Sequence, residues 1–230
     1  VLSPFIIALD FNDETAALRL VEQLDPQKVA LKVGLELFTR AGAAFVRRLV
    51  KQEFKIFLDL KFHDIPNTVA SACKVAADLG VWMLNVHASG GLAMMQAARA
   101  ALPSSGERPY LIAVTVLTSL DAQQFAALGI PGSIASHVLH LARLAKMAQL
   151  DGLVCSAHEV SAIKADCGPD FLCVTPGIRL AGQAADDQSR LCTPEFALQE
   201  GSDYLVLGRS ITKADNPAQA LQRLLQSLEL

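Results

Sequence analysis

Short, nearly continuous apolar runs recur along this chain, and the stretches between them carry their apolar residues at helical spacing. FIIALD (5–10), KVALKVG (28–34), KIFLDLK (55–61), WMLNVH (82–87), YLIAVTVL (110–117), DGLVCSA (151–157), FLCVTPG (171–177) and DYLVLG (203–208) each read as a strand. Strands apolar on both faces are buried on both faces, as in a parallel sheet covered by helices. The intervening helices show in their caps and stripes. Asn12, Asp13 and Glu14 form the cap region of a first helix whose inner face is Ala17, Leu20, Val21 and Leu24. Pro66 opens another, with Val69, Cys73 and Ala76 in line and Gly80 at its end. Ile134, Val138, Leu141, Ala145 and Ala148 make a further stripe, and a last helix has Asn216 as N-cap, Pro217 at its first position, and Leu221, Leu224, Leu225 and Leu228 within. Eight strands, each followed by a helical segment, predict a single-domain α/β fold, the (β/α)8 TIM barrel.

At 230 residues the chain suits one such barrel, and no linker or low-complexity tract divides it. Hydrophobic residues make up 52% and charged residues 19%, enough for a large core. A formal net charge of -3 gives no basic field for nucleic acid or for an anionic membrane surface, so an anionic ligand must be met by local positive charge. No apolar run approaches the ~20 residues of a membrane span. The opening VLSPFIIALD lacks a basic n-region and a small-residue cleavage site, which makes the cytoplasm the expected location. Cys73, Cys155, Cys167, Cys173 and Cys192 are odd in number and form no CxxC pair, against both a disulfide framework and a structural zinc site. His137, His140 and His158 stand at no metal-ligand spacing, and no metal is expected.

The polar residues matter most for where they fall. Asp10, Lys32, Asp59 with Lys61, His87, Thr118, Ser156 and Gly208 with Arg209 all lie late in their strands or just after them, at the C-terminal face where barrel enzymes carry their active sites. The densest group is DLKFHDIPNT (59–68). Strand alternation puts Asp59 and Lys61 on one face and Leu58 and Leu60 on the other. Opposite charges about 4 Å apart attract by roughly 4 kcal/mol at an effective dielectric of 20. A salt bridge that merely closes the barrel would explain that pair alone equally well. Gly208 lets backbone N–H groups approach an anion and Arg209 adds a fork suited to phosphate, although a Gly-Arg dipeptide by itself says little. The longest stretch without periodicity, GIRLAGQAADDQSR (177–190), follows the seventh strand and reads as an active-site lid.

Taken together, these segments resemble the orotidine 5'-phosphate decarboxylase family. DLKFHDIPNT is similar to its signature, as are ALD at Asp10, LKVG at Lys32, NVHASGG from Asn85, VTVLTS ending at Ser119, VTPGIR ending at Arg179, DQSR around Gln188 and VLGRSIT around Arg209. The resemblance runs in order along nearly the whole chain and matches the short, monofunctional bacterial form. It implies a cofactor-independent conversion of orotidine 5'-phosphate to UMP and CO2 on this same barrel. Lys32, Asp59, Lys61 and Asp64 would be the charged network at the reacting carbon, with Lys61 the proton donor. Asp10 would bind the ribose, Thr118 the pyrimidine, and Gln188, Gly208 and Arg209 the phosphate. Pro176 and Arg179 would belong to the lid. A homodimer is implied, in which Asp64, Ile65 and Thr68 reach the neighbouring subunit's ligand.

The chemistry fits such a network. Losing CO2 from carbon six of the pyrimidine leaves an electron pair in the ring plane, where the π system cannot delocalise it, so a nearby cation must stabilise and then protonate it. Two other readings use the same barrel. A metal-dependent sugar-phosphate lyase shares D-x-K-x-x-D but places a metal-binding Glu late in strand two, where this chain has Lys32. A catalytically dead ligand-binding homologue would be expected to have lost one of the four charged residues, and all four are present. His63 reads as a structural histidine, His87 as a neighbour of the site, and Trp82 as a plug for the lower end of the barrel.

Overall fold

The computed structural model describes residues 2–104, 108–180 and 191–228. Strands β1 (Phe5–Ala8), β2 (Ala30–Gly34), β3 (Ile56–Phe62), β4 (Met83–His87), β5 (Tyr110–Val114), β6 (Gly152–Val154), β7 (Leu172–Thr175) and β8 (Tyr204–Leu207) pair in sequence order. Every pairing is parallel and β1 closes on β8, which makes the barrel expected from the sequence. Around it run α1 (Glu14–Val21), α2 (Leu35–Lys51), α3 (Pro66–Ala77), α4 (Gly91–Ala100), α5 (Ala122–Ala127), α6 (Ile134–Met147), α7 (Ala157–Cys167), α8 (Pro194–Gln199), α9 (Arg209–Thr212) and α10 (Pro217–Ser227). No helix among the described residues is long and apolar enough to cross a membrane.

Alternation along the strands sorts the side chains into two layers. Ile6, Ala8, Ala30, Phe57, Met83, Ile112, Val174 and Val206 fill the barrel, and their neighbours Phe5, Ile7, Leu31, Ile56, Leu58 and Leu84 face the helices. Trp82 stands edge-on to Tyr204 and Tyr110, with ring centroids 5.0 and 5.8 Å away, and packs against the interior layer at the N-terminal end, as expected. Two ion pairs fasten that end. Asp151 receives both terminal nitrogens of Arg108 and the Leu111 amide, each at 2.7 Å. Asp203 receives Lys164 at 2.7 Å and the Cys173 amide at 2.6 Å.

Several strands are shorter than their apolar runs. The first stops at Ala8, the fifth at Val114, the sixth at Val154 and the seventh at Thr175, so Asp10, Thr118, Ser156 and Pro176 lie in the loops that follow. Ladder bonds persist for one more residue, from Leu9 to Lys32 O and from Cys155 to Val174 O, before the chain peels away over the barrel mouth. The helix from Pro66 ends at Ala77, and the chain then turns through Gly80 at φ +80°. Caps form where the sequence placed them: Asp13 accepts the Ala16 amide, and Asn216 accepts the Gln219 amide ahead of Pro217.

Candidate active site

The barrel mouth opens into a cavity of about 710 Å³ lined by Asp10, Lys32, Asp59, Lys61, Thr118, Pro176, Arg179, Gly208 and Arg209. Its floor is apolar, made by Ala8, Phe57, Val114, Val154 and Val206. Nine of the residues singled out in the sequence therefore share one concave site, although they come from six strands or the loops after them.

Four of them form a chain of alternating charge. Lys32 Nζ stands 3.1 Å from Asp10 Oδ1 and 3.3 Å from Asp59 Oδ2, while Lys61 Nζ stands 2.8 Å from Asp59 Oδ1. Asp59 is the pivot, only 8% exposed and facing an ammonium on each oxygen. Burial alone would push its pKa up; the charges of Lys32 and Lys61 outweigh that and hold it below the ordinary carboxylate value. For Lys32, burial opposes the charge, but Asp59 and Asp10 overcome it and raise its pKa above the ordinary lysine value. The arrangement fixes two positive charges beside one deeply placed carboxylate.

The local backbone at Lys61 is unusual. Lys61 has φ +51°, and the β3–β4 register shifts between Leu58 and Phe62. Asn85 of β4, with no exposed surface, donates from Nδ2 to Asp59 Oδ1 at 2.7 Å and accepts the Lys61 amide at 2.8 Å. The sequence reading assigned Asn85 no role. Its signal was there: an amide side chain at an interior position of an apolar strand must find partners.

Beside Asp10 at the mouth, Gly208 and Arg209 head the short α9 directly after β8, the strand that pairs with β1. The segment after β7 is tied at its base, where Ile178 bridges to Cys192 and the Arg179 amide donates to Cys192 O at 2.9 Å. Gln188 and the middle of the expected lid lie outside the described residues. Asp64, Ile65 and Thr68 are exposed at the head of α3 and do not line the cavity, Ile65 being 67% exposed despite its apolar side chain. Asp64 Oδ1 instead accepts the Ile65 amide at 2.6 Å. His63 and His87 lie with ring centroids 5.4 Å apart, outside the cavity lining; burial, then His63 and Lys61, lower the pKa of His87. Ser156 serves the start of α7, where its amide donates to Glu159 at 2.9 Å, and it does not line the cavity either.

A model of the Orotidine 5'-phosphate decarboxylase / HUMPS family matches residues 3–224. The chain belongs to that family. Among relatives named orotidine 5'-phosphate decarboxylase, that of Legionella pneumophila (strain Corby) is 58% identical over 224 residues, covering 97% of this chain and 98% of the relative. That of Dichelobacter nodosus (strain VCS1703A) is 58% identical over 226 residues, covering 98% and 99%. The solved structure of orotidine 5'-phosphate decarboxylase from Lactobacillus acidophilus superposes with a TM-score of 0.88 at 39% identity, covering 99% of this chain and all of that one. Among the described residues, the segments around Asp10, Lys32, Asp59 with Lys61, Thr118, Arg179 and Arg209 that suggested this family in the sequence each bring residues to this cavity.

Proposed function

We propose that the chain is a cofactor-independent decarboxylase that converts orotidine 5'-phosphate to UMP and CO2. The observation that carries this reading is the Asp10–Lys32–Asp59–Lys61 charge chain, set in the wall of a cavity that Gly208 and Arg209 also line. The bond from carbon six to the carboxylate breaks, CO2 leaves, and the electron pair stays on carbon six in the ring plane. Lys61 then transfers an Nζ proton to that carbon and is reprotonated from solvent. Asp59 holds the Lys61 ammonium in place beforehand, which is electrostatic preorganisation joined to general acid catalysis. Thr118 contacts the pyrimidine, Asp10 the ribose, and Gln188, Gly208 and Arg209 the phosphate; Pro176 and Arg179 act with the lid. Binding energy from the remote phosphate is available to organise the reacting end. The same reading places the enzyme in the cytoplasm, in the synthesis of UMP.

Asp64, Ile65 and Thr68 complete the site of a second copy in a homodimer. Their joint exposure at the head of α3, with an isoleucine side chain turned to solvent, supports that role. A metal-dependent sugar-phosphate reaction fits the donor set poorly. Asp10 and Asp59 both face Lys32, so a divalent cation would have to displace an ammonium.

Incubating the purified protein with orotidine 5'-phosphate and EDTA is expected to lower the pyrimidine absorbance and yield UMP on chromatography. No turnover by folded protein would overturn the assignment. Repeating the assay at falling enzyme concentration is expected to show specific activity declining as the dimer dissociates. A fully active monomer would instead show that each site is complete within one chain.

A further inference from the structure

We propose that Asn85 is a positioning residue whose side-chain amide holds the Asp59 carboxylate and the Lys61 backbone in the arrangement that presents the Lys61 ammonium to the cavity. The inference deepens the decarboxylase reading and rests on it.

Asn85 is wholly buried in β4, between Leu84 and Val86, and a buried amide is tolerated only when its hydrogen bonds are made. Both ends of this amide are spent on the charge chain: Nδ2 on Asp59 Oδ1 at 2.7 Å and Oδ1 on the Lys61 amide at 2.8 Å. The backbone explains why. Pairing of Leu58 with Leu84 and of Phe62 with Val86 means that β3 advances four residues while β4 advances two. Asp59, Leu60 and Lys61 therefore stand opposite Asn85 alone, and the Asn85 side chain supplies the acceptor for the Lys61 amide within the shifted register. Lys61 reaches this position at φ +51°, a conformation disfavoured for any residue with a Cβ. The irregularity is what accompanies the Asp59–Lys61 contact of 2.8 Å at the cavity wall. The amide also has only one workable orientation. Turned over, its oxygen would face a carboxylate and its NH2 would face an N–H.

Two substitutions separate positioning from mere support of the fold. Asn85→Ala leaves the Lys61 amide and one bond to Asp59 unanswered. Its kcat for orotidine 5'-phosphate is expected to fall about 100-fold, the scale seen when a preorganised electrostatic contact is lost. KM and the Kd for UMP should stay within about threefold, because the phosphate is held by other elements. In Asn85→Asp, an ionised carboxyl would oppose Asp59, whereas a protonated one restores both the donor and the acceptor. The groups around it are Asp59 and Lys61 of β3, Lys32 of β2 on the other Asp59 oxygen, His87 two residues along β4 and His63 in the loop after β3; β5 pairs Ile112 with position 85 and brings no charge. Burial and the Asp59 charge favour the protonated form of the introduced carboxyl, so its kcat relative to wild type should rise at least about tenfold between roughly pH 8.5 and pH 5.5. The Asn85→Ala ratio should stay flat over that range. A purely structural role would not produce the difference.

Both variants retaining kcat within about threefold of wild type, a loss confined to KM, or a pH-independent Asn85→Asp ratio would each overturn the proposal. If Asn85→Ala does not fold, Asn85→Asp carries the test. Wild-type protein that fails to turn over orotidine 5'-phosphate would sink the decarboxylase reading separately. The positioning role would then be judged from a crystal structure of Asn85→Ala. Lys61 leaving the left-handed region and separating from Asp59 would support it; an unchanged Lys61 would not.

Discussion

Lys61→Ala is expected to reduce kcat by at least about 10⁴-fold, because in the proposed reaction the substitution removes a general acid worth roughly 10²–10⁴ and an electrostatic stabiliser worth roughly 10²–10³. The two effects fall on the same atom. In the proposed reaction Nζ both faces the developing charge and supplies the proton, so nothing left in the site would do either job at the same place. Lys32 cannot move up to replace it, since it is engaged at 3.1 Å by Asp10 and at 3.3 Å by the other oxygen of Asp59. Binding is expected to survive, with the Kd for UMP changed by less than about tenfold, because the phosphate and ribose contacts proposed above lie on other strands and do not run through Lys61. The fold should persist as well: Asp59 keeps Lys32 and Asn85, and alanine at φ +51° is no more strained than lysine. Lys61→Arg adds a useful contrast, since arginine keeps the charge but does not give up a proton near neutral pH. An arginine variant as slow as the alanine one would assign most of the effect to proton transfer. The measurements are single-turnover kinetics and UMP titration. An alanine variant within tenfold of wild-type kcat, or one that no longer binds UMP, would contradict the assigned role.

The barrel was legible in the sequence because parallel strands buried on both faces leave apolar runs that nothing else in the chain imitates. Their ends were less so. FIIALD and YLIAVTVL stay apolar past the last paired residue, because Leu9 and Val116 remain buried in the loops that close over the core. The charge chain was legible through the two-residue spacing of Asp59 and Lys61, and the structure does place their side chains together with Leu58 and Leu60 on the opposite side. The backbone that achieves this is not a regular strand, however, and simple alternation did not foresee the shift. Asn85 carried no local clue to its partners, which lie 24 and 26 residues away. Asp64, Ile65 and Thr68 are harder still, since the role proposed for them in a neighbouring subunit would leave no contact with the cavity of their own chain.

Gly152→Ala is expected to destabilise the fold by on the order of 4 kcal/mol, beyond the 1–3 kcal/mol usual for an overpacked core. Gly152 opens β6, paired with Ile112 on one side and Leu172 on the other. A Cβ there would lie 2.2 Å from Leu172 O, 2.5 Å from its Cβ and 2.7 Å from its carbonyl carbon. None of these atoms can rotate away, unlike the end of a flexible side chain. The strands are also fastened just upstream: Asp151 holds Arg108 and the Leu111 amide, and its own carbonyl accepts the Leu172 amide at 3.0 Å. Admitting a methyl group therefore means parting β6 from β7 against that clamp. For a domain of this size each kcal/mol shifts the melting temperature by about 2–4 °C, so a fall of about 10 °C or more is expected by scanning calorimetry. Gly42→Ala is the control, with nothing within 4 Å of its new Cβ and a cost set only by its backbone at φ +66° and ψ -167°; roughly 1–3 kcal/mol of strain in that essentially glycine-only region should lower its melting point by less. A Gly152→Ala protein melting within about 3 °C of wild type would mean that the two strands part freely. The charge chain lies on β2 and β3 and in the loop after β1, away from this seam, so Gly152→Ala should keep its kcat below its melting point while Lys61→Ala keeps its fold and loses its rate. Catalysis and stability would then fail separately, one on each side of the same barrel.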